Sequence, residues 1–310
     1  MAGISIGESV GEGFGLIAKR PVAILAWGLA RVLLAAGVFA VMAPVYLSIF
    51  GAVAAQAASG AATPPNLASL QAIQAMQGVN FLLSIVSLFL SSVLYCAVFR
   101  AVLFPEQSAF AYLRLGAAEL FYFLFFFCGL IALAIGMVVL LIPVFIVVGI
   151  SAAAHAPALG ALFMLAALLG IFVLFIWVLC RLSMVGPMMV EDGKFHLLDA
   201  WALTRGHVWS LFGIAILLVV ILIAIEVVIG VVTLALGFGW LTQAAGGAAN
   251  LRSFFLRPPA DILSALAPAL MIGAVFSVPI SGALMAILVA PWARVYRDLR
   301  PSTDVAATFA

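Results

Sequence analysis

The sequence predicts an all-α, polytopic integral membrane protein with six transmembrane helices, built as a single integral membrane domain over residues 1–310. Three observations predict it. The chain is 67% apolar and 8% charged, against roughly half and a quarter in soluble domains. Its apolar residues gather into six runs, each long enough to cross a hydrocarbon core of ~30 Å at ~1.5 Å per helical residue. These runs lack the period-two alternation of membrane β-barrels, which argues against strands.

The start MAGISIGESVGEG has no basic stretch ahead of an apolar core, so the sequence predicts a retained N-terminus and no cleaved signal peptide, and the opening segment SIGESVGEGFGLIAKRP leads into the first span. Ile6, Val10, Phe14 and Ile17 form an apolar stripe at helical spacing, with Glu8 and Glu12 on a more polar side. Gly3, Gly7, Gly11 and Gly15 recur every four residues. Either they form a small-residue seam for close helix approach, or they loosen a membrane-surface helix by ~1 kcal/mol each relative to alanine. The first span is Val22–Phe50, followed by an uncharged outer loop over 51–78. In that loop Thr63-Pro64-Pro65-Asn66 reads as a turn, and Leu67, Leu70, Ile73 and Met76 as a short amphipathic helix. The remaining spans are Val79–Phe104, Leu120–Ile150, Pro157–Val185, Val208–Leu236 and Leu266–Trp292, with outer loops at 151–156 and 237–265 and a short cytoplasmic tail at 301–310.

A short polar or amphipathic segment precedes each odd-numbered span: the opening one, then SAFAYLRLGAAEL, then HLLDAWALTRGHVW. The sequence therefore predicts three cytoplasmic-side interfacial helices and a threefold internal repeat, over 1–104, 105–190 and 191–300. Phe14, Tyr112 and Trp201 occupy similar places in the three segments, as do Leu16, Leu113 and Leu203.

Charge orients the spans. Lys19, Arg20, Arg100, Arg114, Arg181, Lys194, Arg205, Arg294, Arg297 and Arg300 fall on one side, and only Arg252 and Arg257 on the other. The positive-inside rule then puts both termini in the cytoplasm and the basic face against an anionic inner leaflet, so membrane lipids are the expected partners. Trp27, Trp201, Trp209 and Trp292 read as an inner aromatic belt, with Trp240 at the outer boundary. A net charge of +2 gives no basis for nucleic-acid binding. Cys96, Cys128 and Cys180 are scattered within spans and read as packing residues, not as a disulfide framework. His155, His196 and His207 read as isolated, so no metal or other cofactor is expected.

Ionisable residues at membrane depth are the default functional candidates, and Arg31 and Glu226 are the two here. Arg31 lies ten residues past Pro21 and Glu226 eighteen past Val208. Counted from those helix starts their depths differ by ~12 Å, which argues against a direct pair. Arg31 also has the simpler reading of snorkelling to the interface. Phe121, Tyr122, Phe123, Phe125, Phe126 and Phe127 read either as an acyl-chain surface or as lipid-facing bulk. Motifs of zinc hydrolysis, nucleotide binding, intramembrane serine proteolysis and CDP-alcohol phosphotransfer are absent or incomplete, so no enzymatic activity is expected and no catalytic residue is assigned.

Residues 181–213 are the most charged stretch of this greasy chain. A span ending in Arg181, then Pro187, Glu191, Asp192-Gly193 and Ala200-Trp201-x-Leu203-Thr204-Arg205-Gly206-x-x-Trp209, resembles the membrane domain of bacterial glycerophosphoryl diester phosphodiesterases and related inner-membrane proteins. The closing Pro291-Trp292-Ala293-Arg294-Val295-Tyr296-Arg297-Asp298-Leu299-Arg300 is similar to that family's terminal Tyr-Tyr-Asp-Leu-Arg pattern, with Arg297 in place of the second tyrosine, so 181–213 and 291–300 carry the resemblance. The resemblance implies a six-span layout in the inner (plasma) membrane of a bacterial cell. The soluble catalytic barrel of those enzymes has no counterpart here, so the resemblance brings no catalytic residue with it.

Two readings of the charged rim stay open. Glu191, Asp192 and Asp199 with Arg205, Arg294, Arg297 and Asp298 form either a hydrated ion-pair network docking an interfacial helix, or a headgroup site in which the arginines hold a lipid phosphate. The expected function is a non-enzymatic, lipid-associated scaffold or accessory subunit, its protein partner unspecified. The alternative is a transporter or channel for a small solute or lipid, motivated by the repeats, by Arg31 and Glu226, and by Pro44, Pro143 and Pro279 within spans.

Overall fold

A computed structural model of the chain describes residues 4–59, 67–255 and 257–300. The expected turn at Thr63-Pro64-Pro65-Asn66, the first glycine of the spaced set, Gly3, and the tail 301–310 lie outside the described residues. Among the described residues there is no strand, and six helices are long and apolar enough to cross a membrane. These are α2 (Pro21–Ser59), α3 (Leu67–Leu103), α4 (Ala117–Ala153), α5 (Pro157–Leu182), α8 (Val208–Ala245) and α10 (Pro259–Leu299). Between and before them come α1 (Ile6–Lys19), α6 (Val185–Asp192), α7 (Leu197–Leu203) and α9 (Leu251–Phe255).

The helices outrun the predicted spans. The stretch read as the start of an outer loop, Gly51–Ser59, continues α2, because it is rich in alanine, the best helix former. Leu67–Gln77 is not a separate short helix but the first turns of α3. Likewise α8 runs on through Gly237 and Gly239 to Ala245, and α10 starts at Pro259, where a first-turn proline loses no hydrogen bond. The predicted 237–265 loop thus shrinks to a turn and α9.

Of the three inner segments, the first and third contain helices, α1 and α7. The second does not. Ala109–Tyr112 is a single turn with Phe110, Ala111 and Tyr112 at φ of 50°, 55° and 65°. The Tyr112 ring is buried in this turn, 1% exposed.

The chain divides into two compact units. One comprises residues through Lys19, Leu88–Leu218 and Ala286 onward; the other comprises Arg20–Ser87 and Val219–Met285. In the second unit α2 and α10 cross antiparallel at bare backbone: a Cβ on Gly28 would fall 1.8 Å from the Val278 carbonyl oxygen, and one on Gly282 2.1 Å from that of Ile24. Trp27 is fully buried there, so it is a core residue and not part of the aromatic belt. In the first unit α1 lies on α10 through Gly13, whose Cβ would meet the Ile287 Cα at 2.7 Å. The spaced Gly7, Gly11 and Gly15 face open space. The close approach on this helix is made by the one glycine outside the fourfold pattern.

The aromatic run of α4 forms the α3–α4 contact. Tyr122 packs edge-on against Phe99 at 5.9 Å and against Phe126 at 4.8 Å, and Phe123 meets Phe89 at 5.6 Å. Gly186 of α6 fits beneath Phe99 and Tyr122, where a side chain would collide with both rings. Cys96 and Cys180 are buried, in keeping with packing roles, while Cys128 is exposed.

Candidate functional site

The charged side chains of the first unit form five local arrangements. On the rim, Arg294 near the end of α10 meets Glu8 at 3.3 Å, Glu12 at 3.5 Å and Asp298 at 3.2 Å, and Arg297 meets Glu12 at 3.6 Å. Helical spacing explains both sides: Glu8 and Glu12 stand one turn apart on α1, as do Arg294 and Asp298 on α10. Gly13 lets the two backbones come close enough for these side chains to meet. Three carboxylates thus surround two guanidiniums, which leaves no excess positive charge for a lipid phosphate at Arg294 and Arg297.

Glu191, at the end of α6, accepts a short hydrogen bond from the Tyr296 hydroxyl and a charge-assisted one from Arg300 at 2.8 Å. Tyr296 belongs to 291–300 and Glu191 to 181–213, so the two stretches that carry the family resemblance touch here. Asp192 and Asp199 do not join Arg205. They flank His196, whose Nε2 lies 2.6 Å from Asp192 and whose Nδ1 lies 2.7 Å from Asp199. His196 is therefore not isolated, and hydrogen bonds to Asp199 and Asp192 push its pKa up. Arg205 is exposed and makes no ion pair among the described residues.

Arg181, at the end of α5, is clamped between indoles, its guanidinium carbon 5.4 Å from the Trp177 ring centre and 5.3 Å from that of Trp201. It also donates to the Trp201 carbonyl at 3.2 Å, and the Thr204 hydroxyl donates to the Arg181 backbone carbonyl at 3.2 Å. The clamp fixes α7 on the end of α5.

The fifth arrangement has no counterpart among the sequence expectations. Arg100 and Glu119 form an ion pair, 9% and 1% exposed, between the end of α3 and the start of α4. Glu119 also accepts the Gly116 backbone N–H at 3.0 Å, capping α4 from within, while Arg100 donates to the Tyr112 carbonyl at 3.5 Å. The Tyr112 hydroxyl closes the turn by donating to the Pro105 carbonyl at 3.0 Å. Three consecutive non-glycine residues at positive φ cost of order 1–3 kcal/mol each, and the buried pair is what holds them. A sequence signal existed: an arginine in the last turn of one span and a glutamate in the first turn of the next, joined by a short loop.

In the second unit Arg31 and Glu226 are both exposed, and among the described residues neither has an ion-pair partner. Glu226 borders an open, apolar hollow with Val219, Leu222, Ile223 and Val227 on one side of α8. Its surroundings are those of a lipid-facing surface. The chain matches no family model, no curated protein and no solved structure.

Proposed function

We propose that this chain is a multi-pass scaffold or accessory subunit of a bacterial inner membrane, non-enzymatic and lipid-associated, with both termini and the charged rim cytoplasmic. One observation carries the reading. The rim's ionisable groups are taken up by one another across segments far apart in sequence: Glu8 and Glu12 with Arg294 and Arg297, and Glu191 with Tyr296 and Arg300. A rim spent on internal clasps supports an anchoring role over a headgroup site. The contact of Glu191 with Tyr296 and Arg300 adds a second clasp to the same rim. In this reading α1 and α7 are the interfacial helices at the inner face, and the threefold repeat is incomplete in its second unit. Arg31 and Glu226 on exposed faces, instead of around an enclosed path, favour the scaffold over the transporter.

The test is bound lipid measured by native mass spectrometry on the protein and on R294A/R297A. Equal retention of anionic lipid is expected; its selective loss in the variant would replace the clasp with a headgroup site.

A further inference from the structure

The arginines of the rim divide into two groups. Arg294, Arg297 and Arg300 of α10 each meet a carboxylate, whereas Arg181 and Arg205 meet none among the described residues. The acidic side chains that lie between those two in sequence are spent elsewhere: Glu191 on Tyr296 and Arg300, Asp192 and Asp199 on His196.

The two uncompensated arginines belong to one corner of the first unit. Arg181 stands at the end of α5, and its guanidinium donates to the Trp201 carbonyl on α7. The Thr204 hydroxyl binds the Arg181 backbone carbonyl, and Arg205 is the next residue, so the chain brings the second cation back to the first. Gly206, at φ 88°, then turns it toward α8. Here one apolar span ends and the next begins, which puts both charges at the level of a membrane boundary.

The corner is also short of acceptors. The Arg181 Nε–H is buried without one among the described residues, and the two indoles beside it attract the cation but accept no hydrogen bond in the ring plane. Around the cations the exposed side chains are apolar: Leu198 is 81% exposed, Trp209 84%, and Trp177 and Trp201 38% and 37%. A ligand that complements this corner is anionic at one end and apolar at the other.

We propose that the α5–α7 corner binds an anionic phospholipid, with Arg181 and Arg205 donating to its phosphate and Leu198 and Trp209 meeting its glycerol and acyl region. The proposal rests on the lipid-associated reading above and gives that association a place. Two guanidiniums favour a net-negative headgroup over a zwitterionic one, whose own ammonium offsets the phosphate. Free inorganic phosphate would leave the apolar half of the corner unused.

The test is native mass spectrometry of the full-length protein from micelles holding equal amounts of phosphatidylglycerol and phosphatidylethanolamine. Arg205 makes no ion pair among the described residues, so R205Q leaves the clasps intact. Its affinity for phosphatidylglycerol is expected to fall about tenfold, while R294A/R297A matches the parent. Phosphatidylglycerol with a photoreactive headgroup gives the second measurement: it should label 195–209 in the parent and much less in R205Q. Undiminished phosphatidylglycerol binding by R205Q, or labelling confined to other segments, overturns the site and leaves lipid association standing. A parent protein that retains neither lipid overturns both.

Discussion

The Arg100–Glu119 pair and the Glu8–Glu12–Arg294–Arg297 network use the same two functional groups in opposite surroundings. The first is sealed between two helix ends and a strained turn; in the second, Glu8 remains 69% exposed and Arg297 35%. Removing one partner of a buried pair strands a charge without solvent, whereas a rim charge that loses its partner regains water. Neither partner of the buried pair can therefore be removed alone without a large cost, whereas the rim network is an adjustable clasp.

The sharpest way to break that comparison is E119Q, which keeps a group able to accept the Gly116 N–H but leaves Arg100 buried and unpaired. Destabilisation by about 3–5 kcal/mol is expected, read as a lowered unfolding midpoint in detergent. R100M/E119M should recover much of that loss, since apolar replacement of both partners is close to neutral. An E119Q protein as stable as the parent would place this pair with the rim.

A middle effect separates the two glycine populations of α1. G13L drives a side chain into the Ile287 backbone, 2.7 Å from the position of its Cβ. The clasp should open, at a cost of about 1–3 kcal/mol. G11A meets nothing and should stabilise α1 by about 0.5–1 kcal/mol through helix propensity alone. Amide exchange of α1 distinguishes the two outcomes: faster in G13L, slower in G11A.

How much of this was legible in the sequence depends on range. The six spans were plain because span formation needs only a local apolar run, which Pro157–Leu182 or Val208–Ala245 supplies without reference to the rest of the chain. Their ends were less plain, since alanine-rich Gly51–Ser59 is loop-like in polarity yet strongly helical in propensity. The rim partners were hidden. Glu8 and Arg294 are 286 residues apart, and nothing in either helix encodes the other. Periodicity does not locate the contact: the regular Gly7, Gly11 and Gly15 face open space, and the packing glycine, Gly13, is set by the face turned to α10, which only the tertiary fold defines.

R294A tests the clasp directly. Its exposed pairs contribute about 0–1 kcal/mol each, and their effect should fade as salt rises. Stability differences between R294A and the parent are expected to be small at low ionic strength and to vanish by about 1 M salt. A salt-independent loss would mean that the clasp is held by buried contacts, as the Arg100 pair is.

The smallest effect is a pH dependence at His196. Bridging Asp192 and Asp199, it is held more strongly when protonated, so its pKa is raised above the usual 6.5. The sign follows from that direction. The bridge stabilises the fold fully below the ordinary histidine value and loses its contribution as pH rises through the raised one. With both carboxylates partly exposed, at 40% and 67%, solvent screens the interaction, so the expected readout is local and not global. Amide exchange in α7 should quicken with rising pH beyond its intrinsic chemical dependence, and H196N should remove the excess. If α7 instead keeps the same protection on both sides of neutrality, then Arg181 and the half-exposed indoles of Trp177 and Trp201 hold that helix by stacking, and the His196 bridge adds little to it.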